Sequence, residues 1–152
     1  MSRKKSALVK VSGDVADKEE LYGKLALISR EYILYVICGA GSAITVNLRE
    51  NNIPFRFMGG ERVIGSQRGK DIAYMVLAAK SSFLECQLRQ RGIEALVCAP
   101  VIRFGDKICF VNGDTFVRMV RRNFSKVFVF ALKGRDKSSL AKDIKKIEII
   151  YL

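Results

Sequence analysis

With 152 residues, 49% of them hydrophobic, the chain can bury about two-thirds of its unfolded surface in one core, so residues 1–152 are expected to form a single domain. Its net charge of +12 draws phosphates, carboxylates or nucleic acid toward it, and sign alone does not choose among them. The complete lack of histidine excludes His-activated nucleophiles, His general bases and zinc sites that need imidazole.

The chain opens on Met1-Ser2-Arg3-Lys4-Lys5, which leads into a short β-like run, Ala7 to Ser12, rather than into a signal-peptide core. No apolar run approaches the roughly 18 to 20 residues that span a bilayer, so a cytoplasmic protein without membrane contact is expected. Asp17 can cap a helix carrying Leu21, Leu25, Ile28 and Tyr32 at helical spacing. Tyr32 to Cys38 is an almost wholly apolar run of strand length, and Gly39-Ala40-Gly41-Ser42 then opens an amphipathic stretch to Asn51. Pro54 to Ile64 reads as two short strands around Gly59-Gly60.

The longest helix is predicted from about Gln67 to Arg91. One stripe, Ile72, Val76, Ala79 and Phe83, suffices to face the sheet. Ala73, Leu77, Leu84 and Leu88 extend the apolar surface to a second side, which predicts a homodimer through helix 67–91. Gly92 ends the helix, Ala95 to Ala99 is a buried strand, and Ile102 to Val111 is a hairpin turning at Gly105-Asp106. Thr115 to Asn123 is helical, with Arg118, Arg121 and Arg122 sharing one face. Val127 to Leu132 is a strand, Ser138 to Lys145 a helix and Ile147 to Leu152 a closing strand. Alternating strands and helices without an internal repeat predict a three-layer α/β sandwich around a mostly parallel sheet. Cys38, Cys86, Cys98 and Cys109 form no C-x-x-C pair and sit among apolar neighbours, so they are expected as reduced, buried small hydrophobes.

Two strand ends could carry chemistry, because open α/β sheets place ligands there. In Lys10-Val11-Ser12-Gly13-Asp14 a lysine ends a strand and a glycine lets main-chain amides approach an anion. In Gly39-Ala40-Gly41-Ser42 a small-residue turn opens a helix whose first amides and positive dipole end favour phosphate or carboxylate. Together they would grip one anion from two sides. The turn is not a dinucleotide-binding G-x-G-x-x-G, since Ile44 stands where the third glycine would be, and there is no P-loop.

Four segments in this order resemble the amino-acid kinase family, most closely its N-acetylglutamate kinase type. They are Lys10-Val11-Ser12-Gly13, Val36 to Ile44, Asn52 to Val63 with Arg62, and Asp71 to Gly92. The resemblance implies a carbamate kinase-like, acceptor-binding N-terminal domain. In such kinases the matching lysine contacts the phosphoryl group, the glycine loops donate amides to it and the arginine holds the acceptor's carboxylate. Lys10, Gly13, Gly39, Ala40, Gly41, Ser42 and Arg62 inherit those roles as expectations, and phosphoryl transfer by positioning and charge neutralisation needs no histidine.

Departures set the functional expectation. Ala40 replaces a middle glycine, which costs about 1 kcal/mol if the position needs positive φ. Glu61 stands where the family has leucine, and its carboxylate would repel an anionic acceptor. The nucleotide-binding half is missing, so ATP and magnesium are expected only if a partner supplies their site. The expectation is a pseudoenzyme-like domain that binds a small anion or acyl-amino acid without phosphoryl transfer of its own. The alternatives are a kinase completed by a partner and a basic nucleic-acid-binding protein, the latter without a recognisable RNA- or DNA-binding motif.

Overall fold

The computed structural model describes residues 4–142 and 146–152. Five strands form one wholly parallel sheet in the order β5-β2-β1-β8-β9: β1 (Lys5–Val11), β2 (Tyr32–Cys38), β5 (Ala95–Cys98), β8 (Lys126–Ala131) and β9 (Ile147–Tyr151). Two hairpins lie outside it, β3 (Phe55–Met58) with β4 (Glu61–Ile64) and β6 (Val101–Phe104) with β7 (Lys107–Phe110). The helices are α1 (Glu19–Glu31), α2 (Gly41–Glu50), α3 (Gln67–Gln90), α4 (Gly113–Val120) and α5 (Ser138–Ala141).

Period-two alternation decides which helices lie on which face. Ala7, Val9 and Val11 of β1, Leu34 and Val36 of β2, and Phe128 and Phe130 of β8 pack with Leu21 and Leu25 of α1 and Leu84 and Leu88 of α3. Leu8, Ile37, Val127 and Val129 point the other way and pack with Val117 of α4 and Leu140 of α5. Both faces of the parallel sheet are therefore covered by helices, as such sheets require. A third, smaller cluster joins Leu48 of α2, Ile64 of β4 and Ala73 of α3.

Connectivity places the site. After β1 the chain crosses by α1 on the first face to β2, whereas after β8 it crosses by α5 on the opposite face to β9. The neighbouring strands β1 and β8 thus mark a topological switch point, with a crevice at their C-terminal ends.

Several expectations need correction. Lys18, not Asp17, occupies the cap of α1, and no side chain caps it. The helix expected from Thr115 to Asn123 starts earlier, because the Asn112 side chain accepts a bond from the Asp114 amide, and it ends at Val120 with a 3-10 turn following over Arg121–Asn123. Of the helix expected from Ser138 to Lys145, α5 covers Ser138–Ala141, and residues 143–145 lie outside the described residues.

On α3 the two stripes are exchanged. Ala73, Leu77, Leu84 and Leu88 are the buried ones, and Phe83 is 41% exposed. Both stripes have the same period, so pattern alone could not choose. Gly69 decides, since a methyl group there would meet Ile64 and Ile53 at 2.5 and 2.6 Å and only glycine lets that side approach the hairpin. The side expected to meet a second copy is core, and the ground for a two-fold contact there is removed. A charge in place of Leu84 or Leu77 would disrupt the fold rather than a dimer.

Of the four cysteines only Cys38 is buried, and burial pushes its thiol up to about 11. Cys86, Cys98 and Cys109 are exposed, because α3 turns its other side inward and Cys98 and Cys109 lie on short strands with one open face.

Candidate functional site

β1 carries Lys10 on the same face as Leu8, toward α4, and it is the one buried charged side chain among the described residues, 5% exposed. Its Nζ donates to Ser12 Oγ at 3.2 Å and lies 3.2 Å from Asp114 Oδ1, an ion pair without hydrogen-bond alignment. Asp114 enters from the first turn of α4, and its other oxygen accepts from Lys137 Nζ at 2.6 Å. Burial lowers the Lys10 pKa below the ordinary lysine value, and the positive Lys137 lowers it further against the opposing pull of Asp114. For Asp114, burial pushes upward, but the charges of Lys10 and Lys137 outweigh it and hold the carboxyl below its ordinary value.

The two glycine loops meet here. A methyl group on Gly13 would lie 2.4 Å from the Gly39 carbonyl oxygen, so the loops touch and an anion has no room between them. It would sit above the junction instead. Gly39 N donates to Val11 O at 2.8 Å, which locks the second loop onto the first strand. Ala40 has φ −140°, so the positive φ that would strain an alanine at this position does not arise. Ser42 opens α2 and donates its hydroxyl to Asp14 Oδ2 at 3.2 Å, and Arg135 donates to the same oxygen at 2.9 Å.

The β3–β4 hairpin forms the rim. Arg62 reaches the glycine turn, its Nη2 donating to Gly41 O at 2.8 Å, and its guanidinium lies 4.8 Å from the ring centres of both Phe55 and Phe57. Desolvation and the neighbouring Arg49 lower its pKa. Glu61 does not face the cavity as a free, repelling carboxylate. It accepts from the Asn112 main-chain N–H at 3.0 Å and from Thr115 Oγ1 at 2.6 Å, tying the hairpin to the start of α4.

These groups line a cavity of about 640 Å³ at the ends of β1 and β2. Five cationic side chains, Lys10, Arg62, Lys70, Arg135 and Lys137, face two carboxylates, Asp14 and Glu61. The structure therefore brings together all the residues singled out in the sequence, Lys10, Gly13, Gly39, Ala40, Gly41, Ser42 and Arg62, around one space. Sequence reasoning missed Asp114, Arg135 and Lys137. Their only local signal was the Asn112-Gly113-Asp114 helix start and a run of charges after β8, and neither indicates that the fold brings them to Lys10.

Elsewhere, Arg118 donates to Ser139 Oγ and Arg121 to the Arg118 carbonyl, so two of the three clustered arginines are engaged within the chain. Among the described residues no group of three His, Cys, Asp or Glu could hold a metal ion, and no helix is long and apolar enough to cross a membrane.

Fold and site together define a parallel α/β domain with a cation-rich cavity at its switch point. No family model and no curated protein matches the sequence. Among solved structures, the chain is similar to smu.665 from Streptococcus mutans, with TM-score 0.71 and 13% identity over 84% of this chain and 72% of that one. It is also similar to N-acetylglutamate synthase from Neisseria gonorrhoeae. In the complex with coenzyme A and L-arginine the TM-score is 0.67 at 10% identity, covering 92% of this chain and 50% of the synthase. In the complex with coenzyme A and N-acetyl-glutamate it is 0.57 at 12% identity, covering 95% and 49%. The chain thus spans about half the length of the synthase.

At such identities the likeness is one of fold, and it overturns the family reading made from the sequence. The enzyme in these structures is a synthase and not an amino-acid kinase. The N-acetylglutamate kinase assignment is not retained, nor are the phosphoryl-transfer roles, ATP and magnesium that came with it. The physical reason is that a strand-end lysine, a small-residue turn and a long amphipathic helix recur wherever a parallel strand feeds a helix. Their order reports the architecture more than the chemistry.

Proposed function

We propose that this chain is a receptor domain for a small anion, a carboxylate or phosphate ester of about amino-acid size, without group-transfer chemistry of its own. The supporting observation is the floor of the cavity. Lys10 and Lys137 share the single carboxylate Asp114, which leaves one positive charge uncompensated beneath a 640 Å³ space, at the switch point where such sheets bind ligands. A desolvated ammonium gains more from an anion than an exposed one does. Arg62 adds charge at the rim, whereas Arg135 is paired with Asp14. That the structurally similar synthase was crystallised with N-acetyl-glutamate and with L-arginine is in keeping with a ligand of this size.

The test is calorimetric titration with inorganic phosphate and with N-acetyl-glutamate at low ionic strength. Saturable binding of at least one is expected, with a Kd about tenfold weaker in Lys10→Met, the loss typical of one charge-assisted contact. No saturable binding, or a Kd unchanged in a folded Lys10→Met protein, would sink the reading.

A further inference from the structure

Besides its charged groups, which include Lys70 one turn before Ala73 on α3, the cavity has apolar walls. Beyond Lys10 and the glycine turn its wall is made by Ile44 of α2, Ala73 and Leu77 of α3, Ile64 of β4 and Phe110 of β7. Ala73, Leu77 and Ile64 are 2, 4 and 8% exposed, yet they border open space. At about 30 Å³ for each water, 640 Å³ holds roughly twenty waters, and a phosphate or carboxylate head would displace only a few. The remainder would lie against apolar side chains that hold water poorly. Ile64 and Ala73 belong to the third apolar cluster, and Ile44 and Phe110 pack against it, so the cavity borders that cluster.

We infer that the ligand is amphipathic: an anionic head on the Lys10 side carries an aliphatic or aryl tail that lies between α2, α3 and the β6–β7 hairpin, beneath the β3–β4 hairpin. This deepens the anion-receptor reading and rests on it for the position of the head. The cations set which end of the ligand enters the charged floor, and the apolar wall sets most of the affinity.

The experiment is a chain-length series of acetate, butanoate, hexanoate and octanoate, titrated calorimetrically at constant ionic strength and below their micelle concentrations. Burial of a methylene is worth about 0.8 kcal/mol, so Kd should tighten about fourfold for each added carbon and then stop improving once the cavity is full. Ala73→Leu, which puts three more carbons on the apolar wall, should shorten the chain at which the gain stops while leaving acetate binding unchanged. A series of equal affinities overturns the amphipathic ligand and leaves the anion receptor standing. Affinities in Lys10→Met equal to those of the wild type at every chain length, with the same gain per carbon, support the tail site and overturn the anion receptor. A series that never levels off, in wild type or variant, marks non-specific adsorption and overturns the inference. Because the wild-type series is decisive alone, failure of Ala73→Leu to fold leaves the outcome readable.

Discussion

The floor and the rim of the cavity are held by different forces. At the floor, main chain meets main chain: Gly13 touches the Gly39 carbonyl, Gly39 donates to Val11, and both loops continue strands buried on two faces. At the rim, the β3–β4 hairpin is joined to its surroundings mainly by side chains, Glu61 to α4 and Arg62 to Gly41, and it carries Phe57 and Met58 at 58 and 56% exposure. The floor is therefore expected to be as stable as the sheet and the rim, although anchored by Ile64, to open at lower cost. An anion would be fixed by the first and admitted by the second.

The sharpest way to break this contrast is Gly13→Ala. Its methyl group would meet a carbonyl oxygen at 2.4 Å, and neither backbone can yield without shifting a core strand. A loss of about 3 kcal/mol is expected, read as a lower urea midpoint at constant m-value. A loss below about 0.5 kcal/mol, the range of ordinary surface substitutions, would show that the floor is pliant.

A smaller effect, of about 2 kcal/mol, is expected for Asp114→Asn, which leaves Lys10 and Lys137 facing each other without a counter-charge. Here pH identifies the cause. The folded Asp114 pKa is held below its ordinary 3.8, so its stabilisation is complete above that value and is lost as pH falls through the folded pKa. The stability gap between wild type and Asp114→Asn, from urea unfolding at pH 6, 4, 3 and 2, should stay constant to about pH 4 and then close. A gap independent of pH would place its origin in packing rather than charge.

The smallest expected effect sharpens the comparison at the rim. Glu61→Ala removes the acceptor for Asn112 and Thr115 and should cost about 1 kcal/mol of global stability. Hydrogen exchange of the β3–β4 amides should accelerate well beyond that while β1 amides slow-exchange as before, apart from the global change. Equal acceleration in both regions would show that floor and rim open as one unit.

What was legible in the sequence follows the same division. The order of elements, the parallel sheet, both hairpins and the glycine turn could be read because each rests on local backbone preference or apolar period. Lys10, Gly13 and Gly39 were legible because strand ends in such sheets converge. Choosing the inward stripe of α3 was not possible from period, since the deciding contact, Gly69 against Ile64 and Ile53, is tertiary. The partner of Lys10 was hidden for the same reason, as Asp114 is brought to it by the packing of α4 on β1 and Lys137 by the pairing of β8 with β1. Glu61 was misread because a carboxylate's effect depends on whether its acceptors are already engaged, and Asn112 and Thr115 lie more than fifty residues away.

That pairing also bears on how the molecule comes to exist. β1 is among the first structure synthesised, yet Ala7 pairs with Lys126, and the Arg135 to Asp14 contact closes a separation of 121 residues. The first four-fifths of the chain can form β1, β2, β5 and the helices beside them, but one side of the central strand has no partner until β8 emerges. Such long-range closure slows folding and leaves an open strand edge while it is awaited. Lys137 lies beyond β8, so the charged floor gains its second lysine only after the strand that flanks β1 has been made.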